Sequence, residues 1–347
     1  MKAVVFEEFG GDLSIQTVDD PTPRNDGVVL ELLANGVCRS DWHAWQGHDK
    51  TVKLPHVPGH EAVGRVVAVG SDVKNLVEGD TVIVPFSCGC GVCPTCQTGA
   101  SNICDAAAFT GFGSWGAFAQ YMGVVYADNN LVKLPESLEA VEAASLGCRF
   151  MTAFYGVIHK AQVKAGQWVV VHGCGGLGLS AVMIAAKAGA QVIAVDIDDT
   201  KLNLAKSFGA IHGLNAAEDP KVGRAIRSLT SGGADVSIDA LGHPTTAHNS
   251  VTCLRKRGKH LQLGLAIGDA TNMPMPMHFV TYKELEILGS LGMPAHLYGS
   301  MLSMVTSGQF KPKDLVTSTV DLSGSIDALK SMGDFSTAGV VVIDDFS

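Results

Sequence analysis

The stretch Gly173-Cys174-Gly175-Gly176-Leu177-Gly178 constrains the fold most, because it lies between an apolar run, Trp168 to Val171, and an apolar helical pattern headed by Gly176. A strand that turns through glycines straight into a helix opens a crossover unit, and such units build parallel sheets. The same alternation continues downstream. Gln191 to Val195, Ala234 to Asp239 and Lys259 to Gly264 read as buried strands, with helices headed by Asp199, Asp219 and Pro244 between or beside them. The pattern predicts a parallel sheet covered on both faces.

The glycine turn also carries chemistry. Gly173, Gly175, Gly176, Leu177 and Gly178 would let the backbone approach a pyrophosphate at the helix amino terminus. Asp196 ends the next strand, eighteen residues after Gly178, where a carboxylate accepts hydrogen bonds from ribose hydroxyls and repels a 2′-phosphate. NAD is therefore favoured over NADP. Lys201, five residues further on, could cap the same ribose.

A chain of 347 residues exceeds what one core usually supports, so two domains are expected. Before the alternating region the pattern is of short strands: Val28 to Ala34, Val63 to Val69, Thr81 to Val84, then Ala117 to Met122 and Leu131 to Leu134. Helical spacing follows Pro135, first over Leu138 to Ser145 and then over Phe150 to Ile158. A helix over Ala295 to Thr306 and a strand over Val340 to Ile343 are expected to return to the first domain. The net charge is −9, with no block of five like charges, which argues against nucleic acid or an anionic membrane surface as partner. With an acidic amino terminus and no apolar run of membrane-spanning length, the expectation is a soluble, cytoplasmic protein.

Residues 87 to 116 lack apolar periodicity and are rich in Cys, Gly and Pro. Cys90, Cys93, Cys96 and Cys104 stand at Cys-x2-Cys-x2-Cys-x7-Cys. Four thiolates close the coordination of a tetrahedral zinc, which marks a structural site. In a reducing compartment this spacing favours metal over disulfides. A lobe without a core would depend on the metal to hold it; Cys88 is left over.

A second concentration of chemistry is Cys38-Arg39-Ser40-Asp41-Trp42-His43, a set too polar to bury unpaired. Cys38 lacks partners within it. His60 in Gly59-His60-Glu61 and Cys148 in Gly147-Cys148-Arg149-Phe150 could supply them, since Cys, His and Cys with an open fourth position form a catalytic zinc set. Spacing leaves convergence open: taken singly, Cys148 reads better as a small buried residue at a helix start, and His60 as a loop histidine.

Taken together, Gly36-Val37-Cys38-Arg39-Ser40-Asp41, Gly59-His60-Glu61, the cysteine lobe, Gly147-Cys148 and Gly173 to Gly178 resemble the zinc-dependent alcohol dehydrogenases of the medium-chain dehydrogenase/reductase superfamily, over essentially the whole chain. His43-Ala44-Trp45 and Lys53-Leu54-Pro55 are similar to the yeast and bacterial tetrameric branch. The resemblance implies an α/β chain with a GroES-like, β-rich catalytic domain over residues 1–150 and 291–347, its structural zinc lobe at 87–110, and a Rossmann NAD-binding domain over 151–290. It implies one catalytic and one structural zinc per chain, with Cys38, His60 and Cys148 as catalytic ligands and Glu61 as an alternate or supporting ligand. It further implies a homotetramer, or a dimer, turning over a small alcohol or aldehyde, and Cys148 tilts the reading toward simple alcohols.

Within that reading, Ser40 passes the substrate proton through the nicotinamide ribose to His43, Asp41 orients His60, and Arg39 meets the pyrophosphate. Thr152 and Leu177 could flank the nicotinamide, and Trp42, Trp45 and Phe86 lead the candidates for the substrate wall. Zinc lowers the pKa of bound water from near 16 to about 7; a comparable shift for an alcohol is worth roughly 12 kcal/mol. General-base catalysis typically supplies only about 10² to 10⁴-fold. The expected reaction is hydride transfer between NAD and a primary or secondary alcohol. The alternatives are a cyclic, polyol-like or acyl-linked substrate on the same fold, or a zinc-stabilised NAD-binding protein without turnover. Ala338-Gly339 stand where relatives often carry a cofactor-clamping Arg.

Overall fold

The computed structural model of the chain describes residues 1–219, 221–334 and 337–347. It divides into two compact units, Met1–Met151 with Gly292–Ser347, and Thr152–Leu291.

The first unit is organised on the strand Val28–Val37, ten residues of alternating and then continuous burial. Glu61–Val69 pairs with it antiparallel, from Val28 opposite Val69 to Gly36 opposite Glu61. On its other edge Tyr121–Val124 covers the first half and Val340–Asp345 the second. Thr81–Ile83 and Val132–Lys133 extend the sheet beyond Glu61–Val69, and Val316–Asp321 lies parallel to Val340–Asp345. Phe6, Leu30, Phe118 and Met122 fill the core beneath. The register has a direct consequence for function. With Gly36 opposite Glu61, Cys38 just past one strand and His60 just before the other leave the sheet at the same end.

The second unit holds a six-stranded, wholly parallel sheet in the order Ala210–Asn215, Gln191–Asp196, Trp168–His172, Ala234–Asp239, Leu254–Gln262, Glu286–Gly289. The chain reverses direction across the sheet between Trp168–His172 and Ala234–Asp239. Such a switch point leaves a crevice at the carboxyl ends of the strands. The helix Gly176–Lys187 starts at this crevice and buries Leu179, Val182, Met183 and Ile184. A side chain at Gly178 would put its Cβ 1.8 Å from the Gly173 carbonyl oxygen, so helix and strand approach this closely only through glycine.

Several boundaries differ from the sequence reading. The two outermost strands, Ala210–Asn215 and Glu286–Gly289, were not anticipated; edge strands need only one apolar face, the first carries His212 and Gly213 at mid-strand, and the second is only four residues long and mostly exposed. Ala117 to Ala119 are buried but lie outside any strand, with Ala119 making only an isolated bridge to Ala3, and the strand itself begins at Tyr121. The helix expected from Asp219 begins at Val222. The helical region after Phe150 changes pitch, from the α-helix Arg149–Phe154 to a π-helical Tyr155–Lys160.

Candidate metal and cofactor sites

In the lobe, the ligand atoms of Cys90, Cys93, Cys96 and Cys104 all lie within 4.8 Å of one another. Cys104 Sγ is 3.5 Å from Cys90 Sγ and 3.6 Å from Cys93 Sγ. These separations are far beyond a disulfide bond and close to the roughly 3.8 Å that tetrahedral zinc imposes at a Zn–S distance of about 2.3 Å. Backbone N–H groups of Cys90 and Ala106 donate to Cys104 Sγ, and that of Cys96 donates to Cys93 Sγ. Cys93, whose sulfur accepts from the Cys96 backbone, is lowered to about 7. The lobe is tied down by Asn130, which donates to and accepts from the backbone of Gly89. Cys88 stands apart, fully buried in the first core, with burial raising its thiol to about 12.

The second cluster gathers Cys38, His60, Glu61 and Cys148, again with ligand atoms within 4.8 Å of one another. His60 Nε2 is buried without a hydrogen-bond partner, which is the unsatisfied state a metal corrects. The other ring nitrogen is occupied: Nδ1 lies 2.6 Å from Asp41 Oδ1. Asp41 is itself wholly buried and also accepts from the backbone of Gly59 and Cys38. One carboxylate thus fixes both strand exits and the imidazole between them. Hydrogen bonding from Cys148, helped by the Arg149 charge, holds the Cys38 thiol well below its ordinary range, while Cys148 is pushed above it. A dication held there would need both sulfurs as thiolates.

Glu61 does not face this cluster alone. Arg149 donates from its backbone N at 3.1 Å and from Nε at 2.8 Å to Glu61 Oε1, and its Nη2 bonds Oε2. The Glu61 backbone donates to Asn35 Oδ1, and Tyr298 donates to the Leu146 carbonyl, which seats the turn before Cys148. Arg149 stands beside Cys148 in the sequence, with nothing there to mark its task. Arg, Asn and Tyr are common enough that only contact distinguishes them.

A family of zinc-binding dehydrogenases matches residues 176–307, and the alcohol dehydrogenase GroES-like domain matches residues 24–136. The alcohol dehydrogenase of Moraxella sp. is 35% identical, with 99% of each chain covered. The NAD-dependent alcohol dehydrogenase of Sulfurisphaera tokodaii is 34% identical over the same shares. The solved alcohol dehydrogenase TADH from Thermus sp. ATN1 superimposes with a TM-score of 0.91 at 30% identity, covering 99% of this chain and 100% of that one.

The chain belongs to the zinc-binding alcohol dehydrogenases.

Of the remaining residues predicted for this dehydrogenase, Ser40 and His43 lie on one helix, Arg39–Trp45, at a spacing that puts them on one face. His43 Nδ1 lies 2.9 Å from His48 Nδ1, a partner the sequence reading did not assign. Arg39 donates to the Met332 carbonyl and stacks over Trp42, 5.1 Å from its ring centre. Phe86 meets His60 edge-on with ring centres 6.0 Å apart, and Phe112 is nearer at 5.0 Å. Trp45 packs in the first core, and its indole N–H donates to the Gly11 carbonyl. In the second unit, Asp196 accepts from the Cys174 backbone through Oδ2 and from Ile197 and Asp198 through Oδ1. The carboxylate that would meet the ribose therefore also clasps the glycine turn. Lys201 is buried on the helix Asp199–Ser207, and Thr152 Oγ1 is buried without a hydrogen-bond partner. No helix among the described residues is long and apolar enough to cross a membrane.

Proposed function

We propose that this dehydrogenase transfers hydride between NAD and a primary or secondary alcohol, with aldehyde or ketone reduction as the reverse reaction. The observation that carries the reading is the convergence of Cys38, His60 and Cys148 around an unpartnered, buried His60 Nε2. Two thiolates and a neutral imidazole neutralise a zinc dication and leave a fourth position open. Zinc held there supplies the Lewis acidity that acidifies an alcohol. The chain's own residues do the rest. Asp41 fixes the imidazole, Arg149 holds Glu61, and Phe86 and Phe112 give the site an apolar flank. Ser40 accepts the substrate proton, which leaves by way of His43.

Gly173 to Gly178 hold the dinucleotide pyrophosphate; Thr152 and Leu177 flank the nicotinamide, and Asp196 with Lys201 selects the unphosphorylated ribose. Resemblance to the tetrameric branch supports a cytoplasmic homotetramer, which sedimentation would check. Initial rates over a series of simple, cyclic and polyol alcohols with NAD and NADP test the function. Oxidation of simple alcohols with NAD is expected; turnover confined to polyols, or absent with both cofactors at two zinc ions per chain, would overturn it. Asp196→Ala should narrow the preference for NAD, and an unchanged preference would remove Asp196 from that role.

A further inference from the structure

The proton path needs an end, and the structure places a second histidine there. The helix Arg39–Trp45 stops at Gln46, and Gly47 follows with φ +74°. This left-handed turn folds the chain back so that the His48 backbone N–H donates to the His43 carbonyl at 3.0 Å. The side chains are brought together by the same turn: the two Nδ1 atoms are 2.9 Å apart, with ring centres separated by 5.1 Å. Trp42 packs edge-on against both rings. His43 is partly covered, whereas His48 is exposed.

We infer that His48 is the outlet of the relay, taking the proton that reaches His43 and releasing it to solvent. This rests on the reading of Ser40 and His43 as the proton path. At 2.9 Å one Nδ1 must carry a hydrogen and the other a lone pair. With His43 Nδ1 as donor, a proton arriving at His43 Nε2 lets the Nδ1 proton cross to His48 Nδ1. His48 then loses its Nε2 proton to water. Each ring ends with one proton and its tautomer exchanged; one proton has left, and no electron has moved. The environment supports onward transfer. Burial first, then the charge of Arg39 and the neighbouring His48, lower His43 to about 4, with Cys38 opposing, so a proton is held there only briefly.

The test compares His48→Gln with His43→Gln and the unsubstituted holoenzyme, using ethanol and benzyl alcohol as probes with NAD. Proton release is followed by an indicator dye in weak buffer, with and without added imidazole. His48→Gln should slow release about ten-fold, a modest part of what general-base groups supply, and imidazole should restore it to within about two-fold. Histidine ¹⁵N spectra of the resting protein should show the His43 Nδ1 signal displaced when His48 is replaced. Slow release in His43→Gln with normal release in His48→Gln overturns the outlet and spares the relay. Normal release in both overturns the relay itself. A slow His48→Gln that imidazole does not rescue reduces His48 to a structural role.

Discussion

The two zinc sites of this chain are built in opposite ways. The ligands of the lobe run from Cys90 to Cys104, the first three partly exposed and Cys104 buried, and local backbone N–H groups hold the sulfurs of Cys93 and Cys104. At the other site sheet register brings Cys38 and His60 together and a turn seated by Tyr298 brings Cys148, and the supports are buried side chains: Asp41 under His60, and Arg149 against Glu61. A closed site can be specified by a short loop because the metal completes it. An open site must hold its geometry with one position free, so the protein has to supply the constraint that a fourth ligand would have given.

That contrast can be broken experimentally, and the largest effect belongs to the lobe. Structural zinc binds with apparent energies on the order of 10 to 16 kcal/mol. Cys96→Ser should therefore make residues 87–110 the first to exchange amide hydrogens and the first to be cut by protease, while metal analysis still finds the other zinc. If the whole first unit loosens together, the lobe is not a separate cooperative unit.

Cys148→Ser should do the converse. Turnover should fall by at least about 10³-fold, since zinc shifts the pKa of bound water by roughly nine units, yet amide exchange in the lobe should stay as before. Next in size is Arg149→Met, which strands Glu61 as a buried charge; breaking such a pair costs about 3 to 5 kcal/mol. Thermal unfolding should register that loss, and Glu61→Gln in the same chain should recover part of it. Smallest is Asp41→Asn, with an expected drop of about 10 to 100-fold in zinc affinity at the open site. Competition with a chelating dye would measure it, and an equal loss at the lobe would erase the distinction between the sites.

Legibility followed the same divide. The four lobe cysteines were readable because their spacing is itself the geometry, and the glycine turn was readable because strand, turn and helix are consecutive. The packing of Trp45 was not readable, since an aromatic beside a functional stretch carries no mark of which way its helix faces. His48 and Arg149 stood within or beside quoted motifs, yet nothing in their spacing announced a contact. The edge strands Ala210–Asn215 and Glu286–Gly289 were missed because a strand at the rim has too little burial to show in its pattern.

The sequence by itself therefore determined the local chemistry of this protein: a four-thiolate loop, a dinucleotide turn with its acidic partner, and the residue types of an open zinc site. Only the tertiary structure decided that Cys38, His60 and Cys148 meet, that Arg149 engages Glu61, and that His48 closes on His43. The first two depend on antiparallel register and on a turn seated by Tyr298; the third depends on one left-handed glycine. Contacts between residues distant in the chain are fixed by packing that no short stretch encodes.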